Sequence, residues 1–167
     1  VPAGAREIVY VIGKDGRVTS LEASNLTAIT STTDLDHPDS VTALTTGNAA
    51  LVYNNNSQVI VVTPELGRVS THKYTELKPL VNVAALSDGM LIVADKTQLA
   101  VTDEKQSKVV ALRDLSKAPD KDLVVDRTIH HVDTRGSKWG QHIAALVDTK
   151  PSPDAEGKPG VWFGKVD

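Results

Sequence analysis

The segments VTALTTGNAALVYNNNSQVIVVTPELGRVST (residues 41–71) and VNVAALSDGMLIVADKTQLAVTDEKQSKVVALR (residues 81–113) carry one pattern twice. Each holds four short apolar runs separated by Gly, Asn, Asp, Ser or Pro. The runs are residues 41–44, 50–53, 58–63 and 68–71 in the first copy and 81–86, 90–94, 98–102 and 108–113 in the second.

The two copies align at a shift of 40 residues, which places Val59 on Leu99 and Val61 on Val101. Four strands in a repeat of about 40 residues are typical of a β-propeller blade. β-Branched residues suit the pleated, half-buried surface of a strand. We therefore predict an all-β fold of four-stranded antiparallel blades.

The N-terminal part predicts an incomplete copy of the same unit. Strands are predicted at residues 8–12, 17–21 and 26–30, with a hairpin turn at Asp15-Gly16, where Gly supplies the positive φ that such a turn needs. A shift of 41 residues places Val11 on Val52 and Val18 on Val59.

The C-terminal part predicts three strands, at residues 127–133, 142–148 and 161–166. Between the last two lies a Pro- and Gly-rich connection that is typical of an exposed loop. We predict one β-propeller-like domain or fragment over residues 1–167, with two whole blades and two partial ones. The partial blades are residues 8–30 and 127–166, and the whole blades are residues 41–71 and 81–113.

A single blade cannot bury both of its faces, so blades must close into a ring of at least about four. Three arrangements follow: a piece of a larger propeller, one half of a homo-oligomer that closes through a second chain, or an open stack capped in another way. A chain that begins and ends within a blade favours the first.

Composition limits the partners. The chain has 167 residues, 40% hydrophobic and 23% charged, and a net charge of -3, which argues against nucleic acid as the main partner. The absence of cysteine excludes disulfides and cysteine nucleophiles. No apolar run reaches the roughly 18 residues that cross a bilayer, so no membrane span is predicted. We expect an extracytoplasmic or secreted location, with a cytoplasmic one left open.

Residues 8–30, with VYVIGKDGRVTSLEASNLTAIT as their core, resemble the repeat of the quinoprotein-type and YVTN-type propellers. In those families a strand ends at an Asp-Gly turn, a second strand follows, and a small polar turn leads to the outer strand. Residues 56–62 (NSQVIVV) and 96–102 (KTQLAVT) repeat the middle of that pattern. The resemblance implies a propeller fold and a habit of binding partners.

The chain departs from these families at their functional positions. The docking Trp that closes a quinoprotein blade is absent from residues 26–30 and 68–71, and the two Trps, Trp139 and Trp162, lie in the last unit. The Gly-His and Trp-Asp pairs of WD-type repeats are absent as well. The resemblance therefore carries over no cofactor and no calcium ligand.

Three groups of residues are candidate sites. His131 and Asp133 share one strand face, and His142 follows, which is a metal-binding combination; the alternative is a polar strand with backbone-bonded histidines. The segment with Asp34, Asp36, His37 and Asp39 offers oxygen ligands for calcium, but it lacks the turn glycine and the closing Glu, which favours a solvated loop.

The third group consists of the aromatic residues Tyr53, Tyr74 and Trp139, which are candidates for a recognition surface. The alternative for each is packing within or between blades.

Neither a G-x-S-x-G elbow nor a Gly-rich phosphate loop occurs in the sequence, so a catalytic role is not indicated. We expect a non-enzymatic binding module in a larger exported or surface protein, with rim loops at residues 31–40, 115–126 and 149–159 that contact a protein partner. The alternative is part of a quinoprotein-like or hydrolytic propeller enzyme whose site is completed by further blades or another chain.

Overall fold

The computed structural model describes the backbone of residues 7–85, 90–103, 109–114, 126–137, 140–150 and 158–166, and side chains within this set up to residue 102. The described residues form fourteen strands and no helix. The strands are β1 (Ile8–Ile12), β2 (Val18–Glu22), β3 (Ala28–Thr32), β4 (Ser40–Ala43), β5 (Ala49–Tyr53), β6 (Gln58–Val62), β7 (Arg68–Lys73), β8 (Asn82–Ala85), β9 (Met90–Ala94), β10 (Gln98–Asp103), β11 (Val109–Asp114), β12 (Asp126–Ser137), β13 (Gly140–Lys150) and β14 (Lys158–Val166).

The strands form four antiparallel sheets in chain order: β1-β2-β3, β4-β5-β6-β7, β8-β9-β10-β11 and β12-β13-β14. We refer to them as the first to the fourth sheet. Every strand pairs with its neighbours in sequence, as in a meander. The prediction of an all-β fold with two four-stranded and two three-stranded blades is therefore confirmed.

The register corrects one predicted equivalence in the first sheet. Ile12 pairs with Val18, whereas Val52 pairs with Val59, so Ile12 and not Val11 is the equivalent of Val52. Five residues lie between the paired residues Ile12 and Val18, whereas six lie between the paired residues Val52 and Val59. Because side chains alternate between the faces of a strand, a slip of one residue moves Val11 to the opposite face.

The C-terminal strands are longer than predicted. β12 extends as far as Ser137, and β13 already begins at Gly140. β14 begins at Lys158, within the predicted Pro- and Gly-rich loop. β14 is an edge strand of its sheet, a position where the missing N–H of Pro159 costs little.

The central strands β5 and β6 of the second sheet are buried on both faces, and all five residues of β5 are buried. One face packs against Val18 and Leu35, and the opposite face packs against the third sheet. The first of these faces is formed by Ala49, Leu51, Tyr53, Ile60 and Val62. The second is formed by Ala50, Val52, Val59 and Val61, opposite Val83, Leu91, Val93 and Ala100.

Hydrogen bonds between successive sheets add to this packing. The Tyr10 hydroxyl donates to the Gly47 carbonyl at 2.9 Å, and Ser20 Oγ donates to the carbonyl of Pro64. Thr42 Oγ1 donates to the Val83 carbonyl at 2.8 Å. The first three sheets therefore pack face to face, with the second between the first and the third. In the part of the chain that the structure describes, no helix is long and apolar enough to cross a membrane.

Candidate binding surface on the loop rim

Five connections lie at the same end of the stacked sheets, because in a meander every second turn returns to the same edge. They are the turns after β1, β5 and β9 and the loops after β3 and β7, that is, residues 13–17, 54–57, 95–97, 33–39 and 74–81. We call this surface the loop rim. Hydrogen bonds and close contacts between these connections hold them to the sheets and to each other.

The loop of residues 33–39 is fixed from below by the second sheet. Leu35 is buried, and its carbonyl accepts a hydrogen bond from the Tyr53 hydroxyl. Asp39 is tied twice: its N–H donates to the Val52 carbonyl at 2.8 Å, and its Oδ2 accepts from the Asn54 N–H at 2.7 Å. The loop is therefore held at Leu35 and at Asp39 by the second sheet.

The same loop packs against the turn after β1. Asp36 and His37 both have positive φ, 54° and 53°, which turns the chain back on itself. Gly16 has φ 76°, and a Cβ placed on it would lie 1.9 Å from His37 Nδ1. Only glycine leaves room for the imidazole ring, so the two connections pack as one unit.

The remaining rim connections are fixed in a similar way. The Ser57 carbonyl accepts a hydrogen bond from the Tyr74 N–H at 2.8 Å, which joins the turn of residues 54–57 to the loop of residues 74–81. Leu77 and Leu80 anchor that loop in the core between the second and third sheets. In the third sheet the Asp95 carboxylate accepts from the N–H groups of Thr97 and Gln98 at 2.8 and 2.7 Å.

The solvent side of the rim is polar. Asp34, Asp36 and Asp39 are exposed in one loop, and Asn55 and Asn56 are exposed in the adjacent turn. Basic side chains lie to either side: Lys14 and Arg17 in the turn after β1, Lys78 in the loop after β7 and Lys96 in the turn after β9. The surface thus offers carboxylate and amide groups at its centre.

The surroundings shift the pKa values of Asp15 and Tyr53. Hydrogen bonding by the backbone N–H of Arg17 holds the pKa of the Asp15 carboxyl below its usual value, and the two side chains form an exposed ion pair at 3.4 Å. Burial raises the pKa of Tyr53 to about 12, and the nearby Asp36 carboxylate adds to the rise. Both Asp34 and Asp36 remain on the solvent side. Among the described side chains no three His, Asp or Glu groups lie close enough together to hold a metal ion.

The structure places two of the aromatic candidates inside the cores. Tyr53 is 5% exposed and Tyr74 is 4% exposed, and they lie in different interfaces, on either side of the second sheet. Tyr53 holds a rim loop through Leu35, and the Tyr74 hydroxyl lies 3.5 Å from Thr102 Oγ1. A role for either ring in recognition stays a prediction.

The other candidates fall where no side chain is described. His131 and Asp133 lie in β12 opposite Leu146 and Ala144, and His142 lies in β13 opposite Arg135. The pairing is irregular between Ile129 and His131. Trp139 lies outside the described residues, as do residues 115–125 and 151–157 of two predicted rim loops. The metal-site hypothesis therefore stays a prediction.

Sequence reasoning missed His72, which is 1% exposed at the end of β7. Its Nε2 lies 2.8 Å from Ser70 Oγ, and its ring lies beside that of Tyr74, with 6.5 Å between the centroids. His72 pairs with Val59 across the sheet and so faces the third sheet. The alternating exposure of β7 indicates such an inward position, but nothing in the sequence marks the face.

No family model matches this sequence, and no curated protein matches it. Several solved structures are similar in fold. One is a structure of the dihydro-heme d1 dehydrogenase NirN in complex with DHE, with a TM-score of 0.61 and 14% sequence identity. The alignment covers 96% of this chain and 36% of the NirN chain. The Pan2 WD40 domain of Neurospora crassa matches 95% of this chain and 47% of its own, with a TM-score of 0.59 and 11% identity.

BamB from Moraxella catarrhalis matches 90% of this chain and 44% of its own, with a TM-score of 0.56 and 9% identity. The chain therefore spans less than half of the length of these three chains. Similarity at such low identity concerns the fold alone. Together with the four successive sheets, it shows that this chain has the repeated-blade architecture of a β-propeller.

Proposed function

We propose that this chain is a non-enzymatic β-propeller binding module, part of a larger exported or surface protein, and that it holds a protein partner on the loop rim. The observation that carries the proposal is the anchoring of residues 33–39 by Tyr53 and Asn54. A surface that is already ordered loses little conformational entropy when a partner binds, so more of the contact energy appears as affinity.

The exposed groups of the rim indicate the chemistry of the partner. Asp34 and Asp36 present carboxylates, and Asn55 and Asn56 add amide donors and acceptors beside them. Such a surface suits a protein patch with Lys or Arg side chains and exposed backbone or amide groups. Because the rim charges are exposed, binding to this patch should weaken as the salt concentration rises.

The larger protein is supported by the comparisons, in which this chain covers less than half of the propeller chains it matches. Export is supported by the cysteine-free composition and by turns rich in Thr, Asn and Asp.

A second candidate function is part of a propeller enzyme, quinoprotein-like or hydrolytic, whose site is completed by other blades or another chain. The feature that favours this class is the combination of His131, Asp133 and His142 in the sequence. In this case His131, Asp133 and His142 would form a metal site. A bound metal that disappears in the variant His131→Ala would favour this candidate over the first.

Two variants of matched charge test the rim. Asn55→Lys adds one positive charge at the centre of the loop rim, and Ser24→Lys adds one on the exposed turn after β2, at the opposite end of the sheets. The immobilised chain is used to isolate a partner, and the purified partner is then titrated by calorimetry. We expect Asn55→Lys to weaken binding by about tenfold, or 1.4 kcal/mol, and Ser24→Lys to leave it unchanged.

Equal affinities of the two variants would contradict the placement of the binding surface on the loop rim. A partner that binds only the Ser24→Lys variant poorly would move the surface to the opposite end of the sheets.

A further inference from the structure

The first sheet leaves one apolar face uncovered. Val9 and Val11 of β1 are 37% and 45% exposed. Across the strand pair they lie opposite Leu21 and Thr19 of β2. We call these four side chains the outer face of the first sheet. Its opposite face, with Tyr10, Ile12 and Val18, packs against the second sheet.

The face of the second sheet that is equivalent to the outer face is buried against another sheet. In the corrected register Val9 and Val11 are equivalent to Ala49 and Leu51 of β5, because Ile12 and Val18 are equivalent to Val52 and Val59. Ala49 and Leu51 are both 0% exposed, since the first sheet covers them. The same holds for Ile60 and Val62, the equivalents of Thr19 and Leu21, which are 3% and 0% exposed. The same face of the repeat is thus buried in the second sheet and exposed in the first.

Among the described strands, none pairs with the outer edge of the first sheet. β5 pairs with β4 on one side and β6 on the other, but β1 is an edge strand that pairs with β2. The pairing of β1 with β2 extends to Glu7, whose carbonyl accepts from the Ala23 N–H at 2.9 Å. An edge strand presents a row of backbone N–H and C=O groups that can take up another strand.

We infer that the outer face and the free edge of β1 are the docking site for a further antiparallel sheet of the same polypeptide, on the N-terminal side of β1. One strand pairs with β1 as β4 pairs with β5, and an apolar sheet face covers Val9 and Val11 as the first sheet covers Leu51. The inference rests on the part of the proposed function that places this chain in a longer polypeptide, and it is independent of binding on the loop rim.

The connection between strands argues for the same polypeptide rather than a second copy. β4 is joined to β5 by a tight connection in which the Leu44 N–H donates to the Asn48 carbonyl and the Gly47 N–H to the Leu44 carbonyl. The equivalent partner of β1 would be joined to it by a similar hairpin, which only residues next to β1 in the chain can form. A second copy offers no such connection.

Cysteine labelling tests the inference directly, because the chain contains no cysteine of its own. Val11→Cys places one thiol on the outer face, and Val69→Cys places one on β7, where the native Val69 is 46% exposed against 45% for Val11. The rate of thiol alkylation is measured for both variants in this 167-residue chain and in the full polypeptide that its gene encodes.

In the 167-residue chain we expect both thiols to react at similar rates. In the full polypeptide we expect Val11→Cys to react at least about tenfold more slowly, because opening of a packed sheet must precede the reaction, and Val69→Cys to react as before. Circular dichroism and thermal unfolding check that each variant is folded, and Val9→Cys replaces Val11→Cys if it is not.

Three results would overturn the inference. One is equal reactivity of Val11→Cys in the short and full chains. Another is a gene that encodes no strand on the N-terminal side of β1. The third is protection of Val11→Cys in the short chain that grows with protein concentration, which would identify a second copy as the cover. None of these results bears on the affinity difference between Asn55→Lys and Ser24→Lys.

Discussion

The hydroxyl of Tyr53 donates a hydrogen bond to the backbone carbonyl of Leu35, a residue 18 positions earlier in the loop between the first and second sheets. The tyrosine belongs to a strand that is buried on both faces, and the leucine side chain fills the core beside it. One bond therefore ties an exposed, polar segment to a fully buried strand.

Replacing Tyr53 by Phe tests this relationship. The ring stays in the core, but the Leu35 carbonyl loses its donor, and a buried polar group without a partner costs about 1–3 kcal/mol. We expect a loss of that size in the free energy of unfolding, measured by urea denaturation. Tyr74→Phe is the control: its hydroxyl lies 3.5 Å from Thr102 Oγ1, a long contact, so a loss under about 1 kcal/mol is expected. Equal losses would show that the Leu35 bond has no special role.

Gly16 is the second test of the rim, and Gly47 is its matched control. Both have positive φ, 76° and 89°, but a Cβ on Gly16 meets His37, whereas a Cβ on Gly47 meets nothing within 4 Å. Gly47→Ala should cost about 1 kcal/mol, from backbone strain alone, and Gly16→Ala should cost clearly more. Adding His37→Ala to Gly16→Ala should remove this extra cost, because the ring that the new Cβ meets is then absent. Thermal unfolding of the four proteins measures this, and equal costs for the two glycines would contradict the contact.

The architecture could be predicted from sequence because it depends on local patterns. Apolar runs separated by turn residues predicted β1 and β9 to the residue, and the aligned pairs Val59–Leu99 and Val61–Val101 do occupy equivalent positions. Asp15-Gly16 lies in a turn as predicted, with the positive φ at the glycine. These signals are set by strand alternation and turn chemistry, which act within a few residues.

The candidate site depended on relations that no local pattern contains. Ile12 and Val18 have one residue fewer between them than Val52 and Val59 have, which moves Val11 to the opposite face, and nothing in the sequence of the turn indicates this difference. The burial of His72 results from contact with the third sheet. Positive φ at Asp36 and His37 accompanies the packing of the loop on Gly16, a residue far away in sequence.

The open face of the first sheet predicts a contrast in stability between equivalent residues. Leu51 is 0% exposed and Val11 is 45% exposed. Leu51→Ala should lower the free energy of unfolding by about 2–5 kcal/mol, because it leaves a cavity between two sheets. Val11→Ala should change it by less than about 0.5 kcal/mol in the same chain, as expected at an exposed site. Urea denaturation measures both, and a large loss for Val11→Ala would show that its face is already covered.

Buried phenols predict a loss of stability in alkaline solution. Burial, with a smaller effect of Glu65, raises the pKa of Tyr10 to about 12, and burial with Asp36 does the same for Tyr53, against an ordinary value of 10.0. The unfolded chain therefore loses these protons first. Their contribution to stability is complete below pH about 10 and disappears as the pH rises through about 12.

The free energy of unfolding should thus fall steeply between pH about 10 and 12, by up to about 1.4 kcal/mol per pH unit for each fully titrating phenol. Urea denaturation across this range measures the slope, and the near-ultraviolet absorbance of tyrosinate follows the ionisation itself. Burial raises the pKa of Tyr74 as well, so Tyr53→Phe removes one of three such groups and should make the slope shallower. Asp15→Asn, a change on an exposed side chain that is already ionised, should leave the slope unaltered. An unchanged slope in Tyr53→Phe would mean that this hydroxyl ionises as readily in the folded chain as in the unfolded one, and that its bond to Leu35 does not hold the rim in solution.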